Sequence, residues 1–241
     1  MHVLVTGGNG FIGRRVCRRA VADGHDVTSV ARSGPPAPDY RDSWATDVEW
    51  VSADVFAPHE WRDALAPVDC VVHSVGTLSE APEAGVTFER VNGDSALVAA
   101  LEAERADVER LVYVSSSAKP PLVRDAYITA RRRAEAAVAD LDIETVVPRF
   151  GPVYGPDQPH FPSVVNRLFA ALGRVEAVAE LFGEDRPFPV ERAAAATYRL
   201  ATMTDPPESP VGAQRLAALG READGETSRD AGGEAGRRRH R

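Results

Sequence analysis

The sequence predicts an α/β fold, a doubly wound parallel sheet with a small C-terminal helical appendage. Three observations predict it. Short apolar runs alternate with segments of helical period six times between residues 2 and 147. One of those runs, Asp69-Cys70-Val71-Val72-His73, is apolar at successive positions, as a strand covered on both faces has to be. Between the first run and the first helical segment, the glycines read Gly7-x-x-Gly10-x-x-Gly13. Such alternation gives parallel strands joined by right-handed helical crossovers, with helices on both faces of the sheet.

Val3-Leu4-Val5 is the first strand, Thr6 to Gly10 a turn, and about Phe11 to Asp23 a helix with Ile12, Val16 and Ala20 on one side. In a strand–turn–helix of this kind Gly7 permits the tight turn. Gly10 leaves bare backbone where a pyrophosphate comes close, and Gly13 lets the helix pack on the strand. Free amides at the helix start, and the helix dipole, favour the phosphate charge. A plain glycine-rich loop is the alternative. The strand before it, the helix after it and a second strand about thirty residues on favour a Rossmann-type dinucleotide site.

Gly24 ends the helix and His25 to Val30 is the second strand. An acidic residue is expected at its end, to bind the adenosine ribose. The chain reads Ala31-Arg32-Ser33-Gly34 instead, and Arg32 with Ser33 suits a 2′-phosphate, which favours NADP and leaves NAD open. Residues 34–47 form an irregular loop. Val48 to Ala53 is the third strand, ending at Asp54-Val55, where a carboxylate either accepts the adenine amino group or caps a turn. Trp61 to Ala66 is a short helix. The fourth strand ends at Ser74-Val75-Gly76, small residues against which a ribose can lie. Phe88 to Arg105 is a helix and Leu111 to Ser115 the fifth strand, followed by Ser116-Ser117. Asp125 caps a helix from Ala126 to about Leu141, and Ile143 to Val147 is the sixth strand, followed by Pro148. Ligands of such sheets bind beyond the carboxyl ends of the strands, where all these motifs fall.

After Gly155 the pattern weakens. Phe161 to Leu172 reads as helical, Pro187 to Val190 as extended, and Glu191 to Thr202 as an alanine-rich helix. From Asp205 on, Pro, Gly and charged residues dominate, which predicts a disordered tail. The expected division is a 1–160 NAD(P)-binding domain, a 161–204 substrate-side region and a 205–241 tail. The terminal Arg237-Arg238-Arg239-His240-Arg241 reads as a solvated end and not as a nucleic-acid contact.

Of the 241 residues 44% are hydrophobic, enough for a real core, and the net charge of −8 argues against general nucleic-acid binding or attraction to acidic membranes. Lys119 is the only lysine, so arginine carries the positive charge; an acidic, lysine-poor surface suits high salt, and a GC-rich genome is the alternative explanation. Cys17 and Cys70 read as reduced core thiols, without metal-ligand spacing. No stretch approaches eighteen apolar residues, so no membrane span is expected. A first strand starting at residue 2 leaves no room for a leader, which makes a cytoplasmic location the expectation.

The glycine triplet, Asp54-Val55, Ser115-Ser116-Ser117, the pair Tyr127 and Arg131, and Arg149-Phe150-Gly151-Pro152-Val153-Tyr154-Gly155 occur in that order. Together they resemble the extended and atypical short-chain dehydrogenase/reductases, the group of nucleotide-sugar epimerases and dehydratases. Within it they look most like the branch of the nucleotide-binding accessory subunit of respiratory complex I. The resemblance covers about residues 1 to 200. It implies a catalytic set of Ser117 (with Ser116 a rival), Tyr127 as acid or base, and Arg131 where the family carries a lysine that holds the nicotinamide ribose. It further implies cofactor contacts at Gly7, Asn9, Gly10, Phe11, Ile12, Gly13, Arg32, Asp54, Val55, Ser74, Val75, Gly76, Ser115, Tyr127, Arg131 and Pro148. Tyr127 and Arg131 are four apart on a helix and share a face. Against the family pattern, the short interval from Ser117 to Tyr127 and the short region after Gly155 together imply a smaller substrate pocket, or none that is productive. Two functions compete: an oxidoreductase or epimerase acting on a small or sugar-like molecule, and a nucleotide-binding regulator or complex subunit without turnover. A homo-oligomer or a larger complex is the expected assembly.

Overall fold

The computed structural model describes residues 1–37, 43–120, 123–173 and 176–223. A six-stranded parallel sheet runs through the molecule. Its strands are β1 (His2–Thr6), β2 (Asp26–Val30), β3 (Val48–Val51), β4 (Cys70–His73), β5 (Arg110–Tyr113) and β7 (Glu144–Val146), in the spatial order β3-β2-β1-β4-β5-β7. The order reverses direction between β1 and β4, so the crevice above their carboxyl ends is the switch point where ligands of such sheets bind. Four short strands form two further pairs: β6 (Ser115–Ser116) with β8 (Arg149–Phe150), and β9 (Val153–Tyr154) with β10 (Phe188–Pro189).

Side chains alternate across the sheet as the two-residue period requires. Val3, Val5, Cys70, Val72 and Val112 point into one core, shared with α1 (Gly13–Ala22) and α6 (Val190–Thr202). Leu4, Val71, Leu111 and Tyr113 point into the other, against α2 (Ser95–Arg105) and α3 (Ala126–Ala139). Both faces are covered, which is why β1, β4 and β5 read as nearly continuous apolar runs. Cys17 and Cys70 are fully buried, and burial pushes both thiols up to about 12, so they stay protonated as inert core groups. Two further helices follow, α4 (Ser163–Gly173), whose Phe169 lines the cleft described below, and α5 (Glu176–Glu180).

Several elements differ from their sequence expectation. The first helix begins at Gly13, because Phe11 and Ile12 are still in the turn. The third strand stops at Val51, where its pairing with β2 ends. The expected helix from Trp61 is two 3-10 turns, Pro58–Glu60 and Arg62–Leu65. The expected helix from Phe88 opens as a π turn, Glu89–Asp94, before becoming α2; at Gly93 a Cβ would approach the Ala130 carbonyl to 3.3 Å, so the turn fits close against α3. Asp125 makes no side-chain cap and lies 3.4 Å from Lys119 instead. Part of the irregular loop, residues 38–42, lies outside the described residues.

The expected tail needs the largest correction. Residues 213–223 form a helix, and Val211, Ala213, Leu216, Ala217 and Leu219 are buried in the same core as Val3 and Val16. Val211 also joins the strand end: its amide donates to the Val147 carbonyl at 2.9 Å, and its own carbonyl accepts from Arg149 at 3.1 Å. The packed chain thus reaches at least residue 223; residues 224–241 lie outside the described part.

Candidate active site

The glycine turn sets one wall of the site. Gly7 has φ +77°, which a side chain would disfavour, and its amide donates to the Val30 carbonyl at 2.8 Å. A Cβ at Gly13 would sit 2.3 Å from the Gly7 carbonyl oxygen and 2.6 Å from Ser74 Oγ; one at Gly10 would sit 2.9 Å from the same carbonyl. These glycines therefore hold the turn tight against itself and against the end of β4. Among the described residues the amides of Phe11 and Ile12 donate to no protein acceptor, which leaves bare N–H groups at the mouth of α1. This is a cradle for an anion next to the positive end of a helix, and it fits a pyrophosphate. Arg15, which no motif signals, braces it. Its guanidinium donates to Phe11 O (2.8 Å), to Pro156 O (3.2 Å) and to Glu191 Oε1 (2.8 Å).

A cleft of about 500 Å³ opens beyond this turn at the carboxyl edge of the sheet. Gly10, Phe11, Ile12, Ser74, Val75, Gly76, Ser115, Ser117, Tyr127 and Arg131 all line it. The other expected cofactor residues lie outside that lining. Asn9 donates to Ser33 Oγ at 2.9 Å and so ties the turn to the loop that carries the exposed Arg32. Asp54 Oδ1 accepts from the Phe56 amide at 3.0 Å, the turn-capping role that the sequence left open. Val55 is buried in the core with its carbonyl accepting from Trp61 Nε1 at 3.3 Å, and Pro148 is buried with its carbonyl accepting from the Ser115 amide at 2.9 Å.

Tyr127 and Arg131 meet as their spacing on α3 requires: the guanidinium carbon lies 5.1 Å from the Tyr127 ring centroid. Both are buried. Phe88 packs edge-on against Tyr127 at 5.6 Å, fixing the ring. Arg131 Nη1 donates to the Val114 carbonyl at 2.9 Å, its Nε is buried without a hydrogen-bond partner, and Nη2 comes so near Gly76 that a Cβ there would stand 2.6 Å away. Gly76 is thus small because the arginine needs the space. Below lies Tyr113, whose hydroxyl donates to Asn92 O at 2.7 Å; burial pushes that hydroxyl above the ordinary tyrosine range. Asn92 in turn clamps Thr77 through both backbone groups, at 2.8 and 2.9 Å, and so shapes the loop after β4.

The three serines have separate duties. Ser115 Oγ donates to the buried Glu135, which also takes Arg132 and Arg149. That commitment points its hydroxyl away from a cofactor role, leaving its backbone in the lining. Ser116 Oγ donates to Ala118 O at 2.7 Å. Ser117 Oγ donates to Asp185 Oδ1 at 2.7 Å, so in this geometry its remaining polar capacity is its lone pairs, which can accept. Asp185 stands 68 positions away in sequence and belongs to no local pattern, which is why sequence reasoning missed it. Among the described residues no cluster of His, Cys, Asp and Glu could hold a metal ion, and no helix is long and apolar enough to cross a membrane.

A parallel sheet in this order, with a bare glycine turn and a tyrosine–cation pair beyond its edge, defines a dinucleotide-binding α/β domain. The family model described as NAD dependent epimerase/dehydratase family matches residues 3–188. The chain belongs to that family. A ceramide reductase of Caulobacter vibrioides is 33% identical over 64% of this chain and 47% of its own length. MIOREX complex component 2 of Saccharomyces cerevisiae is 30% identical over 63% of this chain and 69% of its own length. The chain spans only about half the length of several such relatives. Among solved structures, the UDP-glucose 4-epimerase of Thermus thermophilus in complex with NAD superposes with a TM-score of 0.66 at 21% identity, over 93% of this chain and 84% of that one, a likeness of fold.

Proposed function

We propose that this chain is a nicotinamide-dinucleotide oxidoreductase of the epimerase/dehydratase type. The observation that carries the reading is convergence: Gly10-Phe11-Ile12 of the glycine turn, Ser74-Val75-Gly76, Ser117, Tyr127 and Arg131 line one cleft. The bare amides of Phe11 and Ile12 would hold the pyrophosphate, and Arg32 with Ser33 would meet a 2′-phosphate, which favours NADP over NAD. When bound, the nicotinamide supplies or takes up a hydride. Tyr127 then gives or takes the proton at the substrate oxygen, and Ser117 accepts a hydrogen bond from the substrate hydroxyl. Arg131 is an obligate cation against the Tyr127 ring, standing where the family carries a lysine. That other members are named reductases supports hydride chemistry.

A second reading keeps nucleotide binding and drops turnover. It is favoured by Arg131, a planar fork already engaged with Val114 O where the family places a slimmer lysine, and by the yeast relative named as a complex component. Titration of the protein with NADPH and NADH separately, followed by carbonyl reduction in wild type and Tyr127→Phe, separates the two. The expected outcome is tighter NADPH binding, equal in both proteins, with turnover reduced at least about 100-fold in the variant. Unchanged turnover in Tyr127→Phe removes the assigned acid–base role. Cofactor binding with no hydride exchange supports the second reading.

A further inference from the structure

Past Ser117 and Tyr127 the cleft continues into a half that the nucleotide motifs do not explain. Its walls are Leu78, Pro152, Val153, Phe161, Phe169 and Phe182. The Phe161 and Phe169 rings lie 5.6 Å apart, and Phe182 is 43% exposed. No residue of α4, which carries Phe169, is buried, so this ring is not spent on the protein core. Aromatic faces left beside water gain when an apolar body covers them.

Charge points the same way. Among the described lining residues the cations are Lys119 and Arg131. Lys119 Nζ is held by Asp125 at 3.4 Å and by the Val123 carbonyl at 3.1 Å, and Arg131 lies against Tyr127 with Nη1 on Val114 O. Asp185 adds a carboxylate beside Ser117. A nucleoside diphosphate carries two or more negative charges and is met by cationic forks in good geometry. Among the described lining residues the one such fork is Arg131, and it is already engaged with Val114 O and the Tyr127 ring.

We propose that the substrate is an uncharged ketone or aldehyde, or the matching alcohol, on an apolar alkyl or aryl body, and not a nucleotide sugar. The proposal rests on the reading of the Tyr127 cleft as the substrate site. In the reducing direction a dihydronicotinamide gives a hydride to the carbonyl carbon and Tyr127 gives its proton to the oxygen. The products are the alcohol and the oxidised nicotinamide, and Tyr127 regains a proton from water.

Calorimetric titration of the full chain with 2-alkanones from 2-butanone to 2-decanone, and with UDP-glucose, tests this without turnover. Kd should fall about fourfold per added methylene, the factor that about 0.8 kcal/mol per buried CH₂ corresponds to. Phe169→Ala should weaken 2-decanone about tenfold and leave 2-butanone unchanged. UDP-glucose binding tighter than 2-decanone, or affinity independent of chain length, overturns the proposal. Failure of the oxidoreductase reading looks different: the chain-length series persists while NADPH-dependent reduction of 2-decanone is absent.

Discussion

His73 is fully enclosed beneath the cleft, with Nδ1 2.8 Å from Thr6 Oγ1 and Nε2 3.1 Å from Ser95 Oγ. Ser95 Oγ already donates to Val91 O at 2.7 Å, so it accepts from Nε2–H, and Nδ1 accepts from Thr6. The neutral ring therefore satisfies both neighbours. Burial, with the charge of Arg131 added, lowers its pKa from 6.5 to about 3. A histidine depressed in the fold releases its proton on folding, so its contribution is complete above about pH 6.5 and is lost as pH falls toward about 3. Urea unfolding should show stability falling by about 1.4 kcal/mol per pH unit in that window from this group, and His73→Gln should flatten the slope. An unchanged slope in the variant would assign the acid sensitivity elsewhere. At this scale Tyr127 and Arg131 were legible, because a four-residue spacing on a helix is fixed by geometry alone. Ser115 and Asp125 were not: whether a hydroxyl or carboxylate faces a ligand or a neighbour depends on partners such as Glu135 and Lys119, which only the fold brings near.

The strands of the central sheet were legible as elements because burial on both faces leaves an apolar run that polar loops interrupt. The helix at 213–223 was hidden by small residues. Alanine and glycine supply much of its packing face, and at Gly220 a Cβ would stand 2.8 Å from the Arg192 carbonyl, so close approach replaces side-chain bulk. The faint signal was spacing: Ala213, Leu216, Ala217, Gly220 and Ala223 fall at helical intervals on one side. Leu216 is fully buried there, and Leu216→Ala should cost about 3 kcal/mol in urea unfolding. A cost under about 0.5 kcal/mol would mean that this helix is not part of the cooperative unit. The π turn at Glu89–Asp94 was equally invisible, since the 3.6-residue period of α2 runs through it with one added residue.

For the molecule as a whole, the decisive quantity is its charge of −8 with a single lysine. Self-repulsion of that kind weakens a compact state, and added salt screens it. The Tm should therefore rise as KCl goes from about 0.01 M to about 1 M, over which the screening length shrinks from about 30 to about 3 Å. A falling Tm would show that ion pairs such as Arg15–Glu191, at 2.8 Å, outweigh the repulsion. The fold class was legible at this scale because the alternation of strand and helix repeats along the chain. The aromatic half of the cleft was not, since Leu78, Phe161 and Phe182 come from distant loops with no shared period.

The shared core of Val3, Val16, Leu216 and Leu219 has a bearing on biosynthesis. A ribosome finishes the first strand some two hundred residues before it makes the helix that covers this side. Through most of translation this face of the growing sheet has α1 against it but neither α6 nor the last helix, and the final contacts close only after Ala223 has cleared the exit tunnel. Chaperone occupancy of stalled nascent chains should accordingly drop once that residue emerges.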